Sequence, residues 1–263
     1  MNIEKLKELN DEIIFLDNRG HVGLSQVGHS CHRYLQFVHY WAFNQEISTR
    51  VERLFGVGNS TEEVMTRDLL KKGIDVLDQQ KAIIGFSGHW KGHIDGIFDD
   101  KLVEFKTHNY KSFNDMVKNG VKKSKPVHYA QMIAYMGYLD LEEGLYMAYN
   151  KNDSAYYFEK VVFNKEAFEI LQEKEREVIL AEALLPRIGT NSQTWFECRY
   201  CDAKNVCFKK TTASVSCRTC IHVDVLDDGV WQCSKKEYRV TEDMQRLACD
   251  DYHLSDMFMD VDQ

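Results

Sequence analysis

His93-Ile94-Asp95-Gly96-Ile97-Phe98-Asp99-Asp100-Lys101-Leu102-Val103-Glu104-Phe105-Lys106-Thr107 decides how the rest of the chain is read. Ile, Phe, Leu and Val flank the turn-forming pair Asp99-Asp100, which is the sequence signal of a β-hairpin. With a two-residue loop, Phe98 pairs with Lys101, and counting outward sets Asp95 opposite Glu104. Successive strand residues point to opposite faces, so Glu104 and Lys106 share one face and Val103, Phe105 and Thr107 take the other. Cross-strand partners have Cβ atoms about 5 Å apart, so two carboxylates and one ammonium converge. Carboxylates this close repel, and a bound cation or a shared proton relieves them. Hard oxygen donors of this kind suit Mg²⁺ or Mn²⁺.

The chain around this hairpin has 263 residues, enough for one large domain and a small appendage. Residues that are 44% hydrophobic and 28% charged describe a globular protein, and no apolar run approaches a membrane span. Met1 to Asn10 lack the apolar core of a signal peptide, so the expected location is cytoplasmic. In that compartment eight cysteines argue for metal binding over disulfides. The net charge of −8 gives a poor steering field for nucleic acid, so contact with DNA requires a local basic patch.

That patch follows the hairpin. Residues 108–125 carry His108, Lys111, Lys118, Lys122, Lys123 and Lys125 against one acid, Asp115. Lysines in this position neutralise phosphates without reading sequence. Upstream, residues 1–20 read as a short helix and loop. Ser30 is a candidate cap for a helix to about Phe43, with Tyr34, Leu35, Val38 and Trp41 at helical spacing. Residues 58–73 read as a second helix, started by Asn59 or Ser60 and ended by Gly73. Residues 74–80 and 82–86 are candidate strands. Downstream come a helix over 127–140, with Gln131 and Tyr135 four apart on one face, strands over 144–150 and 155–163, and a charged helix over 165–183.

Seven of the eight cysteines lie in the last third of the chain. Cys198-x2-Cys201-x5-Cys207 leaves a four-coordinate site one ligand short, and Cys31 is the only cysteine outside the tail. Cys217-x2-Cys220-x12-Cys233-x15-Cys249 resembles a zinc ribbon, with His222 and His253 as substitutes for Cys249. Trp231 to Cys233, after Asp228-Gly229, reads as a hairpin strand. A tail of this length has too little core to fold unaided, so four free buried thiols are an improbable alternative.

Asp-x8-Glu-x-Lys after Gly92-His93-Ile94, followed by Gln-x3-Tyr, resembles the PD-(D/E)xK nuclease superfamily and its RecB-type branch. Ser25-x2-Gly28-x2-Cys31-x-Arg33 is similar to the first helix of that branch, and Cys31 with Cys198, Cys201 and Cys207 is similar to its iron–sulfur staple. Nuclease core followed by two cysteine sets resembles phage-encoded exonucleases and, for the staple, CRISPR adaptation nucleases. The superfamily's proline is absent before Asp95, where Ile94 stands.

The resemblance implies an α/β fold, a restriction-endonuclease-like core with a mixed central sheet flanked by helices, over residues 1–210. A cysteine-rich, zinc-ribbon-like module would follow over 211–263. It implies a Mg²⁺- or Mn²⁺-dependent deoxyribonuclease acting at DNA ends. The ion would be held by Asp95, Glu104, the Phe105 carbonyl and Glu62, with Glu63 the open alternative to Glu62. Lys106 would position water or stabilise the transition state, and Gln131 and Tyr135 would orient substrate. Cys31, Cys198, Cys201 and Cys207 would hold a [4Fe–4S] cluster, and Cys217, Cys220, Cys233 and Cys249 would hold Zn²⁺. DNA is the implied partner, and a recombination or replication protein is a further one. A non-catalytic nuclease-derived binding or inhibitor protein, and an iron–sulfur sensor, stay open as alternatives.

Overall fold

The computed structural model describes Leu9 and residues 12–259. The expected helix within residues 1–20 falls largely outside them. Where the chain is described it is a strand, β1 (Ile13–Leu16), not a helix. After β2 (Val22–Gly23) comes α1 (His32–His39), shorter than expected: Cys31 stands at its N-cap and makes no side-chain cap bond. Ser30 does not cap it and donates to Glu197 instead, at 2.6 Å.

β3 (Gln45–Ser48) pairs antiparallel with β1 and runs straight into α2 (Thr49–Leu70). This helix begins about ten residues before the expected start. Its cap is Ser48, whose Oγ accepts from the Val51 amide at 3.4 Å, and not Asn59 or Ser60. Gly56 and Gly58 lie inside the helix, although glycine is a poor helix former. Gly73, with φ +77°, does follow its end.

The stretch 74–80 is no strand, apart from a single bridge from Leu77 to Ile97. β4 (Ala82–Ile84) and β5 (Trp90–His93) then pair antiparallel, with β2 parallel on the other side of β5. The hairpin follows as β6 (Gly96–Phe98) and β7 (Lys101–His108), in the register Phe98–Lys101, Ile97–Leu102, Gly96–Val103. Asp99 and Asp100 both have positive φ, 48° and 55°. A two-residue hairpin turn of this hand matches the twist of its strands.

α3 (Tyr110–Asn119) and the single turn α4 (Val121–Ser124) lead to α5 (Pro126–Leu139), with proline in its first turn, where no amide partner is lost. β8 (Glu143–Asn150) runs parallel to β7, and β9 (Tyr156–Val162) antiparallel to β8. The order β6-β7-β8-β9 makes a mixed four-stranded sheet. α6 (Lys165–Leu180) is capped by Asn164 and stops three residues short of the expected end.

The fold is thus mixed α/β, with the sheet between helices. Leu102, Tyr146 and Ala148 pack with Met132, Ile133 and Met136 of α5. Val103, Phe105 and Met147, on the other face, pack with Met65 and Leu69 of α2. Burying such side chains supplies roughly 1.5–3 kcal/mol each, and the alternation along β7 commits one face to each helix. No helix among the described residues is long and apolar enough to cross a membrane.

The tail ends in a small antiparallel sheet of β10 (Val223–Val225), β11 (Trp231–Cys233) and β12 (Tyr238–Arg239). Trp231 and Phe258 share a cluster with Phe37, Tyr40 and Ala42. The buried Arg218 lies between the rings of Trp41 and Trp231, 3.8 and 4.4 Å from their centroids. Its guanidinium donates to Gln245, to the His39 carbonyl and to the Gly20 carbonyl. The turn before β11 presses on the main body: Gly229 donates to the Ser87 carbonyl at 2.8 Å. A Cβ on Gly88, whose φ is +72°, would lie 2.6 Å from the backbone of Asp228 and Gly229.

Candidate active site

Backbone pairing along β7 puts Glu104 and Lys106 on one face and brings Asp95 beside them. Asp95 precedes β6, and its Oδ2 accepts the Phe105 amide at 2.7 Å, so the carboxylate itself fastens the end of the ladder. Lys106 Nζ donates to Glu104 Oε1 and, at 3.1 Å, to the Phe105 carbonyl, and stands 4.0 Å from Asp95 Oδ2. The ammonium therefore already meets three of the four oxygen groups that the resemblance names as cation ligands.

Glu104 is fully buried, and its Oε2 is buried without a hydrogen-bond partner. Burial pushes the Glu104 carboxyl well above the usual carboxylate range; Lys106 opposes the rise and Asp95 adds to it. Burial also raises Asp95, against Lys106 and the Phe105 amide. Burial alone would lower the Lys106 ammonium, but Glu104 and Asp95 outweigh it and hold the ammonium above its ordinary value.

Glu62 reaches the site from mid-helix α2. Burial pushes it up to about 7, with Asp95 adding to the rise and Lys106 opposing it. Because α2 begins at Thr49, Glu62 does not sit in a first turn, and the helix dipole does not account for an acid there. Glu63 is exposed, whereas Glu62 is half-buried and lines the groove. Gln131 and Tyr135 are buried on α5. Burial and the charges of Glu104 and Asp95 raise the Tyr135 phenol strongly. A Cβ on Gly92 would lie 2.5 Å from Tyr135 Oη, so glycine there is what lets the phenol approach β5.

Glu62, Phe105 and Lys106 line a groove of about 710 Å³, from which Asp95, Glu104, Gln131 and Tyr135 are set back. Of the five lysines in the basic stretch, Lys125 lines it and Lys111, Lys118, Lys122 and Lys123 do not. Lys122 instead lies over the Tyr129 ring at 5.2 Å.

Among the polar lining residues Arg19, Ser112 and His128 escaped the sequence reading, and His108 entered it only as part of the basic stretch. Ser112 Oγ is 3.2 Å from His108 Nδ1, His108 Nε2 is 2.9 Å from Tyr146 Oη, and Tyr146 Oη is 2.8 Å from His128 Nδ1. Burial first, then Lys125 and Lys106, pulls His108 down to about 4; burial and Lys106 pull His128 down to about 3. Both rings are therefore neutral near pH 7, and donation in either direction along the chain, from Ser112 through His108 and Tyr146 to His128 or the reverse, satisfies every link. Strand and helix periodicity held the signal: His108 lies two residues past Lys106 on its face, and His128 three before Gln131.

The cysteines gather in two places. Cys31, Cys198 and Cys201 line one cavity of about 310 Å³. Burial and then the neighbouring Cys207 and Cys198 raise the Cys31 thiol; burial, Cys31 and Cys207 help push Cys201 up to about 11. Cys217, Cys220, Cys233 and Cys249 line another cavity, and burial with the other three thiols raises Cys217. All eight cysteines are free of disulfides. Among the described residues, no three His, Cys, Asp or Glu side chains stand close enough together to hold a metal ion as placed.

No protein family and no curated protein matches the chain. Among solved structures it is similar to an alkaline exonuclease (LHK-Exo) from Laribacter hongkongensis, at 18% identity and TM-score 0.46, over 61% of this chain and 87% of that one. SSO0001 is similar at 16% identity and TM-score 0.46, over 75% and 90%. A phage-related exonuclease from Haemophilus somnus 129PT is similar at 14% identity and TM-score 0.36, over 46% and 66%.

Proposed function

We propose that the chain is a metal-dependent deoxyribonuclease that hydrolyses phosphodiester bonds at DNA ends. The observation behind this reading is the meeting of Asp95, Glu104 and Lys106 beside an open groove that Lys106, the Phe105 backbone segment and Glu62 line, with one buried Glu104 oxygen that has no hydrogen-bond partner among the described residues. Leaving such an oxygen unpaired is costly, and a hard divalent cation suits it. Asp95, Glu104 and the Phe105 carbonyl, with Glu62 from α2, would hold Mg²⁺ or Mn²⁺. A bound cation of this kind neutralises phosphate charge and acidifies water. Lys106 contributes a fixed positive charge at the same point, aimed where charge grows on a phosphate. Gln131 and Tyr135 close the wall behind Glu104 and keep bulk water from it, and Lys125 offers a phosphate contact at the rim. The preference for ends over internal cutting rests on the resemblance of the motifs.

Cys31, Cys198, Cys201 and Cys207 are assigned to a [4Fe–4S] cluster, and Cys217, Cys220, Cys233 and Cys249 to Zn²⁺. Partly buried thiols gathered in this way suit a soft cation. The role of both groups is structural, since neither cavity is lined by Asp95, Glu104 or Glu62.

Labelled linear and circular DNA, incubated with the metal-loaded protein and Mg²⁺ or EDTA, test the reading. Linear DNA should be degraded, the closed circle spared, and EDTA should stop the reaction. Failure to cleave any DNA with Mg²⁺ or Mn²⁺ would overturn it.

A further inference from the structure

Away from the candidate active site, a cavity of about 310 Å³ lies in the seam between the tail and the main body. His21 and Lys91 line it from the body, and Arg218, Trp231, Arg239 and Glu242 from the tail. Lys91, Arg218 and Arg239 are cations against the single acid Glu242, in a chain that carries 41 acids and 33 Lys and Arg. That acid is already engaged, since Glu242 accepts from Arg246 at 2.6 Å. Among the described residues Lys91 and Arg239 have no ion-pair partner. A Cβ on Gly229 would stand 3.9 Å from Lys91 Nζ, so the ammonium of the body sits against the turn of the tail.

Arg218 adds a second observation. It is 1% exposed, and a buried charge without a counter-ion is costly. Its acceptors, Gln245 and the carbonyls of His39 and Gly20, are all uncharged. They engage three of the five N–H donors of a guanidinium. The rings of Trp41 and Trp231 offset part of the charge. Burial pulls the guanidinium down to about 9, with Glu242 opposing and Arg246 adding, so it is charged near pH 7. Docking of the tail explains why this side chain is buried. It does not explain why the charge faces a cavity with no carboxylate bonded to it.

We infer that the seam is a phosphate site completed by docking of the tail: Lys91 and Arg239 hold the phosphate oxygens from the two sides, and Arg218 supplies positive charge beneath them. Charge-assisted bonds from Lys and Arg to phosphate are among the stronger hydrogen bonds in proteins. The volume lies at the lower end of small-ligand pockets, about 300–1,000 Å³, which suits a phosphate with its sugar. Phosphate is the chemistry shared by a DNA backbone and a free nucleotide. Arg19 lines the groove of the candidate active site, and the next residues, Gly20 and His21, line the seam. The two openings are therefore neighbours, which favours the backbone as the source. The site itself stands on the seam, and only that choice of source rests on the nuclease reading.

Two binding measurements on the full metal-loaded chain test it, without added Mg²⁺ or Mn²⁺ so that nothing is cut. One is fluorescence anisotropy with a labelled DNA duplex, and the other is calorimetry with thymidine 5′-monophosphate against thymidine. Lys91→Ala combined with Arg239→Ala should weaken binding about tenfold, the scale of one hydrogen bond to a charged group. On duplex it should also lower the log–log salt slope by about one unit, as for one phosphate contact. The thermal midpoint should hold, since neither cation is ion-paired in the fold. Lys91→Arg with Arg239→Lys should keep binding within about twofold. A loss on duplex alone supports the site with the backbone as its source, and a loss on thymidine 5′-monophosphate alone supports it with the free nucleotide. Binding of both probes within twofold of wild type in the double alanine variant would overturn the site. So would an equal loss in Lys160→Ala with Lys165→Ala, which removes the same charge from residues that do not line the seam, and so would wild-type protein that binds neither probe. Cleavage of linear DNA in Mg²⁺ is measured in parallel: wild-type protein that cuts while the double alanine variant binds normally discards the seam alone, whereas wild-type protein that cuts no DNA discards the nuclease reading and the backbone source with it.

Discussion

Between Gly96 and Lys106 the acidic side chains are placed by ladder hydrogen bonds, whereas between Cys198 and Cys249 the thiols are placed by loops, one-turn helices and strands of two or three residues. The hairpin packs its apolar residues on both faces, against α5 and α2, and fixes Asp95 through the Phe105 amide. It needs no cation to hold its shape. The tail has one buried tryptophan in its small sheet and leans on α1 through Arg218. One candidate site is thus preformed by a sheet, and the other, on the proposed metal assignment, would be gathered by its ligands and by docking. Removing a ligand should therefore silence the first and unfold the second.

The largest effect is expected in the tail. Thiolate binding to structural Zn²⁺ carries folding free energy of the order of 10 kcal/mol. Cys220→Ser should release zinc and open the segment from Cys217 to Cys249 to proteolysis, while the hairpin core still melts cooperatively. Limited proteolysis with zinc analysis checks this, and a protease-resistant, zinc-free tail would break the comparison. Cys31→Ser should remove iron and sulfide yet leave zinc in place, as metal analysis of anaerobically purified protein would report.

Arg218→Ala comes next. It leaves a hole between Trp41 and Trp231 and removes three hydrogen bonds. A loss of about 3–5 kcal/mol in docking of the tail is expected, read as faster hydrogen exchange across β11 with β7 unaffected. Equal loosening of both regions would show them to be one cooperative unit.

Glu175 on α6 supplies a buried carboxyl outside both metal-type sites. It accepts from the Phe86 amide at 2.9 Å and from Tyr138 at 2.6 Å, and burial pushes it up to about 7 from 4.5. Its folded pKa lies above its unfolded value. The stability it confers is complete below pH 4.5 and lost as pH rises through about 7, by about 2–3 kcal/mol. Glu175→Gln should flatten that loss in denaturant titrations at pH 5 and pH 8. An unchanged pH dependence would assign it to the carboxylates of the hairpin.

The smallest effect separates the lysines. Lys125→Ala should lower the log–log salt slope of DNA binding by about one unit, and Lys122→Ala with Lys123→Ala by less. Equal slopes for the two variants would extend the basic surface beyond the groove.

Much of this was legible in the sequence, and the omissions have a common cause. The hairpin and its register follow from alternation around Asp99-Asp100, because a two-residue turn leaves one pairing. The helix carrying Gln131 and the strands β8 and β9 follow from periodicity. The start of α2 was hidden because Gly56 and Gly58 signal a break in isolated chains, and the resulting error concealed Phe55 as a neighbour of Glu62. Arg19, His108, Ser112 and His128 come from four separate elements or loops. Their meeting depends on the parallel pairing of β7 with β8 and on the packing of α5, neither of which is a local property. The docking of Arg218 is legible only in three dimensions, since it joins residues 20, 39 and 245.

The central claim is that the Asp95, Glu104 and Lys106 face is a cation-assisted hydrolytic site, preformed by the sheet. Cleavage of end-labelled linear DNA in Mg²⁺ by wild type and by Glu104→Gln, with melting followed on the same samples, tests it most directly. The account predicts at least a thousandfold loss of rate, about 4 kcal/mol of transition-state stabilisation, with a cooperative melt retained at a lower midpoint, since the Lys106 ammonium loses its nearest carboxylate partner. A Glu104→Gln protein that cleaves at a near-wild-type rate in Mg²⁺ would contradict it.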